Sequence, residues 1–135
     1  MTELKHLVRL MDADIKGTKG VLYGLREIRG VSHMFAHAIC KVAKLDVKKK
    51  MGALSQDELT SITKVLDDPS AAGIPTWMLN HRRERETGAN KHYFSTKLKV
   101  TIDNDIKELK KMKCYRGVRH ILELPVRGQR TRSHF

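Results

Sequence analysis

The chain has 135 residues, of which 31% are charged and only 5% aromatic, enough for one modest domain and too few aromatics for a large core. Its 27 Lys and Arg against 15 Asp and Glu leave a formal net charge of +12, a self-repelling balance whose default partner is nucleic acid. No run of about 18 apolar residues is present to span a membrane, and MTELKHLVRL lacks the apolar segment of a signal peptide, so the expected location is cytoplasmic.

In chain order, HLVRL at 6–10 reads as extended, and DADIKGTKG at 12–20 reads as a loop because two glycines and several polar residues interrupt any periodicity. VLYGLREI then places Val21, Leu22, Leu25 and Ile28 at helical spacing, and Gly30 is the expected stop. Ser32 suits the N-cap of a helix carrying Phe35, Ala38, Ile39, Val42 and Leu45. After the charged interlude DVKKKMG, LSQDEL has the spacing of a capping box from Ser55 to Glu58, with Leu54 and Leu59 as a hydrophobic staple. Leu59, Ile62 and Leu66 continue that apolar face.

DDPSAAGIP breaks the pattern, and TWMLNHRRERETGANKH at 76–92 is a long polar connection with one apolar knot, Trp77, Met78 and Leu79, expected to anchor on the body. Asn80 to His92 are expected to face solvent or an external surface, and the alternating signs of RRERE read as a solvated face. Leu98, Ile102, Ile106, Leu109 and Met112 form one stripe on a long helix whose opposite face is lysine-rich. After Cys114 the apolar period ends, with room for a short helical turn around Val118. The fold class is therefore mainly α. The expected segments are a helical body at 1–68, a polar insertion and linker at 69–94, a long helix at 95–114 and an extended basic tail at 115–135.

Charge is concentrated at that end: residues 106–135 hold nine Lys and Arg against Glu108 and Glu123, while the first 105 hold 18 basic and 13 acidic residues. Arg116, Arg119, Arg127, Arg130 and Arg132 are arginines where lysine would serve a purely electrostatic role, and guanidinium is a planar fork matched to two phosphate oxygens. Gly117 and Gly128 permit close backbone approach, and His120, Gln129 and Thr131 add neutral donors suited to a 2′-hydroxyl or a base edge. Lys113 joins the set at the root of the tail. Lys16 and Lys19 flank GTKG at 17–20, which lacks phosphate-loop spacing and reads as a tight turn against a phosphate of a larger nucleic acid.

Other constellations have plainer readings. His33, His37 and Cys40 recur at i, i+4 and i+7, but no fourth ligand is evident, and a partly buried helix face with two polar rings is the better reading. Cys40 and Cys114 are expected as reduced thiols. No nucleophile motif stands out, so neither an enzyme nor a cofactor or metal is expected.

YRGVRH at 115–120 followed by LPVRGQRTR at 124–132 resembles the C-terminal signature of the small-ribosomal-subunit protein S-thirteen family, called protein eighteen in eukaryotic nomenclature. DIKGTKGVLYGLREIRGV at 14–31 is similar to that family's loop, first helix and hairpin, and IPTWMLNHRRERETG at 74–88 resembles an insertion of its archaeal and eukaryotic branch. The resemblance implies a helix-two-turns-helix body, binding of small-subunit ribosomal RNA, and a ribosome-bound location in the subunit head. It also implies proximity to small-subunit protein nineteen, bridges to large-subunit components including large-subunit protein five, and a tail running toward peptidyl-site transfer RNA. On this sequence, Tyr115 joins Arg116, Gly117, Arg119, His120, Arg127, Gly128, Gln129, Arg130 and Thr131 at the motif positions expected on RNA. Two positions depart from the family pattern: Ser32 replaces the second glycine of the hairpin, and Glu123 stands where glycine is common. The alternatives from other classes are a DNA-binding repair protein on a helix-two-turns-helix body and a module for an acidic protein. Against the first, the chain begins Met1-Thr2-Glu3 without the catalytic proline of such glycosylases and has two cysteines rather than a four-cysteine zinc module.

Overall fold

The computed structural model describes residues 4–132. The chain divides into two compact units, Met1–Leu98 and Lys99–Phe135. As expected, the described residues are mainly helical.

The first unit opens with an antiparallel hairpin, β1 (Leu7–Leu10) against β2 (Ala13–Lys16), in which Leu7 faces Lys16 and Leu10 faces Ala13. HLVRL is extended as expected, but ADIK is a strand rather than loop. The connection is Met11-Asp12, both at positive φ (47° and 61°), which is the backbone pattern of the two-residue turn that matches strand twist. Asn-Gly usually announces that turn, and its absence hid the hairpin. Strand alternation buries Val8, Leu10 and Ile15 and leaves Leu7, Arg9 and Asp14 outside.

α1 (Val21–Leu25) stops earlier than its apolar spacing implies, yet Ile28 is completely buried in the turn beyond it. Gly30 reverses the chain at φ 103°, a conformation open to glycine, with the Tyr93 carbonyl where a Cβ would project. Ser32 caps α2 (His33–Val42): its hydroxyl accepts from the Phe35 N–H at 3.2 Å. The departure from glycine at position 32 is thus a helix cap. At the other end Lys44 takes a left-handed conformation (φ 52°), and the Leu45 N–H donates to the Cys40 carbonyl at 2.9 Å, closing the helix.

α3 (Gln56–Asp67) begins with the expected capping box. The Ser55 hydroxyl accepts from the Glu58 N–H at 3.2 Å, and the Glu58 carboxylate accepts from the Ser55 N–H at 2.7 Å. Leu59, Ile62, Val65 and Leu66 are buried from α3, and Phe35, Ala36, Ile39 and Cys40 from α2. Both cysteines are free thiols. His33 and His37 are exposed while Cys40 is buried, so these three residues do not share a ligand face. The two rings lie in solvent, outside the partly buried face expected of them.

The insertion is more ordered than its composition suggests. Leu79 is buried, but Trp77 is 68% exposed: the single helical turn Thr76–Met78 sends neighbouring side chains in different directions, so only one end of the apolar knot reaches the core. His81 and Lys91 exchange backbone hydrogen bonds (3.2 and 2.8 Å), and the Asn80 side-chain amide pairs with the Tyr93 backbone in both directions (2.8 and 3.0 Å). His92, expected in solvent, stacks on Phe35 with centroids 4.0 Å apart and lies against Phe94. Its Nδ1 accepts from the Asn80 N–H (3.3 Å), which leaves Nε2–H to donate to the Gly30 carbonyl (3.0 Å). Burial pushes its pKa down.

α4 (Ser95–Lys111) starts in the first unit and continues into the second, where α5 (Tyr115–Ile121) follows it. Tyr115–Ile121 is two turns of helix, so the extended part of the tail begins after Leu122. No helix among the described residues is long and apolar enough to cross a membrane.

Candidate nucleic-acid interface

In the second unit, the signature residues are arranged by α5. Lys113 adopts a left-handed conformation (φ 52°) that ends α4, and Cys114 then caps α5, its sulfur accepting from the Gly117 N–H at 3.4 Å. The Cys114 thiol also approaches the Leu109 carbonyl at 3.6 Å. Gly117 is buried against the last turns of α4, where a Cβ would overlap the Leu109 carbonyl. Glycine at this position therefore serves helix packing.

α5 closes with a second left-handed residue, Glu123 (φ 56°), and the Leu124 N–H donates to the Arg119 carbonyl at 3.0 Å. This is the six-to-one bond of a helix stop, a position that glycine normally occupies. Arg119 is half-buried, and its Nε–H donates to the Pro125 carbonyl at 3.0 Å, tying the helix to the segment after it. Beyond Pro125 the backbone turns at Gly128 (φ 73°), and the Gln129 side-chain carbonyl accepts from the Arg127 N–H at 3.0 Å. Gln129 thus shapes the turn with its oxygen and keeps its amide donors for another acceptor.

What remains outward is a set of cations. Arg116, Arg127, Arg130 and Arg132 are exposed and make no ion pair among the described residues, with Tyr115 73% exposed beside them in sequence and His120 and Thr131 half-buried. Five free guanidinium N–H donors on each suit phosphate oxygens. Residues 133–135 lie outside the described residues.

In the first unit, Lys16 and Lys19 stand in a different setting. The GTKG loop is pinned by its own backbone: the Gly17 N–H donates to the His6 carbonyl (2.7 Å), the Val21 N–H to Lys49 (2.9 Å) and the Met51 N–H to Lys19 (2.9 Å). Lys16 is exposed, but its backbone N–H reaches Glu27 at 3.4 Å, and the Lys19 ammonium is ion-paired with the Glu27 carboxylate. That Lys19 hydrogen bond is the main cause holding Glu27 below the usual carboxylate pKa.

A shallow cleft of about 500 Å³ opens beside this pair, lined by Lys19, Gly20, Tyr23, Arg26 and Glu27. Periodicity assigned this stretch to a buried helix and passed over Tyr23 and Arg26, which are both exposed.

RRERE likewise hid a redistribution of charge. The Glu84 carboxylate accepts from Lys91 Nζ (2.6 Å), Thr87 Oγ1 (2.6 Å) and the Tyr93 hydroxyl (2.9 Å), and its pKa falls to about 2, led by the Lys91 contact. With Glu84 paired to Lys91, the remaining charges exposed on that loop are Arg82, Arg83, Arg85 and Glu86, a net positive set.

The family model described as ribosomal protein S13/S18 matches residues 9–134. The chain is 45% identical over 134 residues to the small ribosomal subunit protein uS13 of Methanocaldococcus jannaschii, covering 99% of this chain and 89% of that protein. It is 44% identical over 135 residues to the uS13 protein of Methanopyrus kandleri (98% and 89% covered) and 40% identical over 134 residues to that of Methanococcus maripaludis (99% and 90%).

Proposed function

The chain belongs to the ribosomal protein S13/S18 family, and from that membership we propose that it is a structural, non-enzymatic constituent of the small ribosomal subunit that binds small-subunit ribosomal RNA. The observation that carries the RNA contact is the unpaired arginine set of Arg116, Arg127, Arg130 and Arg132 on a segment braced by α5. Its mechanism is charge neutralisation with shape recognition, in which guanidinium forks meet phosphates and the Gln129 and Thr131 donors meet sugars or bases. Lys113, His120 and Tyr115 complete this surface. Arg119, Gly117 and Gly128 act through the backbone they position. Lys16 contributes from the body, and Lys19 less, because Glu27 already holds its charge.

The family resemblance extends the proposal to neighbours: small-subunit protein nineteen in the subunit head, large-subunit protein five across an inter-subunit bridge, and peptidyl-site transfer RNA at the tail. A DNA-repair role has no observation in its favour.

A protein neutralising about six phosphates should lose about a thousandfold in affinity between 50 and 200 mM salt. Arg127→Ala with Arg130→Ala should weaken binding to small-subunit RNA and flatten that dependence. A tagged copy should also sediment with small subunits in a sucrose gradient. An unchanged salt slope would remove these two arginines from the interface, and a tagged copy left at the top of the gradient would remove the ribosomal assignment.

A further inference from the structure

Tyr23 lies on the short helix α1 in the first unit, where Val21, Leu22 and Leu25 are buried and Tyr23 itself is 60% exposed. A solitary exposed aromatic is ordinary. Here it lines the 500 Å³ cleft together with Arg26, and neither its hydroxyl nor the Arg26 guanidinium has a hydrogen-bond partner among the described residues. His33 meets the Tyr23 ring edge-on, with centroids 6.4 Å apart and planes at 61°, so the ring is steadied by an edge contact without being covered by a stacked one.

The charge of the cleft favours an anion. Its single carboxylate, Glu27, is engaged by the Lys19 ammonium and by the Lys16 backbone N–H. Arg26 is left as the uncompensated cation, and Lys50, whose backbone bridges to Gly20, adds an exposed lysine next to the loop. An aromatic face, a free guanidinium and a concavity within the usual range for small ligands, roughly 300–1,000 Å³, together match one nucleotide.

We propose that this cleft takes an unpaired nucleotide of RNA, its base stacked on Tyr23 and its phosphate held by Arg26. Duplex RNA is a poor fit, because paired bases present no free face and the A-form groove is read through phosphates and 2′-hydroxyls. Stacking on an aromatic side chain is tolerant of base identity, so the contact positions a bulged or single-stranded residue without reading its sequence. The inference rests on the RNA-binding reading above and extends the body's contact from Lys16 and Lys19 to Tyr23 and Arg26.

The test uses the full chain and a fluorescein-labelled 12-nucleotide oligouridylate carrying one 5-iodouridine. Tyr23→Leu keeps the apolar bulk but removes the π-face, and should weaken binding by about tenfold, whereas Tyr23→Phe should bind within about twofold of the native chain. Arg26→Ala should lower the slope of log affinity against log salt by about 0.7. Irradiation should join the iodouridine to Tyr23, as mapped by mass spectrometry. A 12-base-pair RNA duplex should be indifferent to Tyr23→Leu.

Native affinity in Tyr23→Leu together with an adduct mapped elsewhere would overturn the proposal. Displacement of the RNA from this cleft by a hexaglutamate peptide, with the peptide's own binding lost in Tyr23→Leu, would assign it to an acidic protein instead. The Arg127→Ala and Arg130→Ala double variant separates the two readings. If that variant loses RNA and Tyr23→Leu does not, only the cleft fails; if the native chain itself does not bind the oligonucleotide or small-subunit RNA, the RNA-binding function fails with it. Both Tyr23 variants should melt at the native temperature, since the side chain lies outside the core.

Discussion

The two units of this chain treat charge differently. In the first, several lysines are matched internally: Lys19 with Glu27, Lys49 with Glu58 at 2.7 Å, and Lys91 with Glu84 at 2.6 Å. In the second, four arginines of the signature have no ion-pair partner among the described residues. Exposed ion pairs are worth only about 0–1 kcal/mol each, so their main effect in the body is to lower the field it presents. A count of basic residues therefore overstates how much of a basic protein meets RNA; pairing decides which cations remain for a partner.

The sharpest way to break that contrast is to attack what holds each unit. Phe35 is fully buried and carries the stacked His92, so Phe35→Ala should destabilise the first unit by about 3–5 kcal/mol in urea unfolding. Arg127→Ala with Arg130→Ala should change the same midpoint by no more than about 0.5 kcal/mol. A large loss in the arginine variant would mean that the tail stabilises the fold and is not reserved for a partner.

Next in size, Gly117→Ala should weaken the seating of α5 by about 1–3 kcal/mol, because the added methyl meets the Leu109 carbonyl. Amide exchange should speed up in Tyr115–Ile121 and leave Gln56–Asp67 unchanged. RNA binding should fall with it even though no arginine is altered. Glu123→Gly works in the other direction. Removing a left-handed non-glycine residue should slow exchange in α5 by roughly fivefold, about 1 kcal/mol. If this variant also binds RNA more tightly, preorganisation of α5 contributes to affinity.

The smallest effect concerns pH. Glu84 has a folded pKa of about 2 against an ordinary value of 4.5, so its contribution is complete above 4.5 and is lost as pH falls toward about 2. Glu84→Gln should abolish that part of the acid limb, and an NMR titration should place the Glu84 midpoint near 2. A midpoint near 4.5 would show that the loop cations are not neutralised as drawn.

Features that depend on residues within a turn of one another were legible in the sequence. The Ser55 capping box, the Ser32 cap and the apolar face of α3 all follow from spacing of three or four, and each stands in the structure. The β1–β2 hairpin was not legible because Met11-Asp12 lacks the Asn-Gly or Asp-Gly pair that announces such a turn; the Ser95 hydroxyl, 84 positions away, donates to the Met11 carbonyl at 2.6 Å. α5 was only half legible. It has little apolar periodicity, and its seating depends on the absence of a side chain at Gly117 against the end of α4.

By itself the sequence determined the mainly helical class, the basic end and the family, because composition, local spacing and the motif at 115–132 need no folded context. Tertiary structure alone decided the role of each charged or permissive residue: Glu84 drawn inward, Arg119 bonded to its own chain, Gly117 seated on a helix, and Tyr23 and Arg26 left facing a cleft. The physical reason is range. A cap is satisfied within four residues, but an ion pair or a buried glycine takes its meaning from whatever the fold brings beside it.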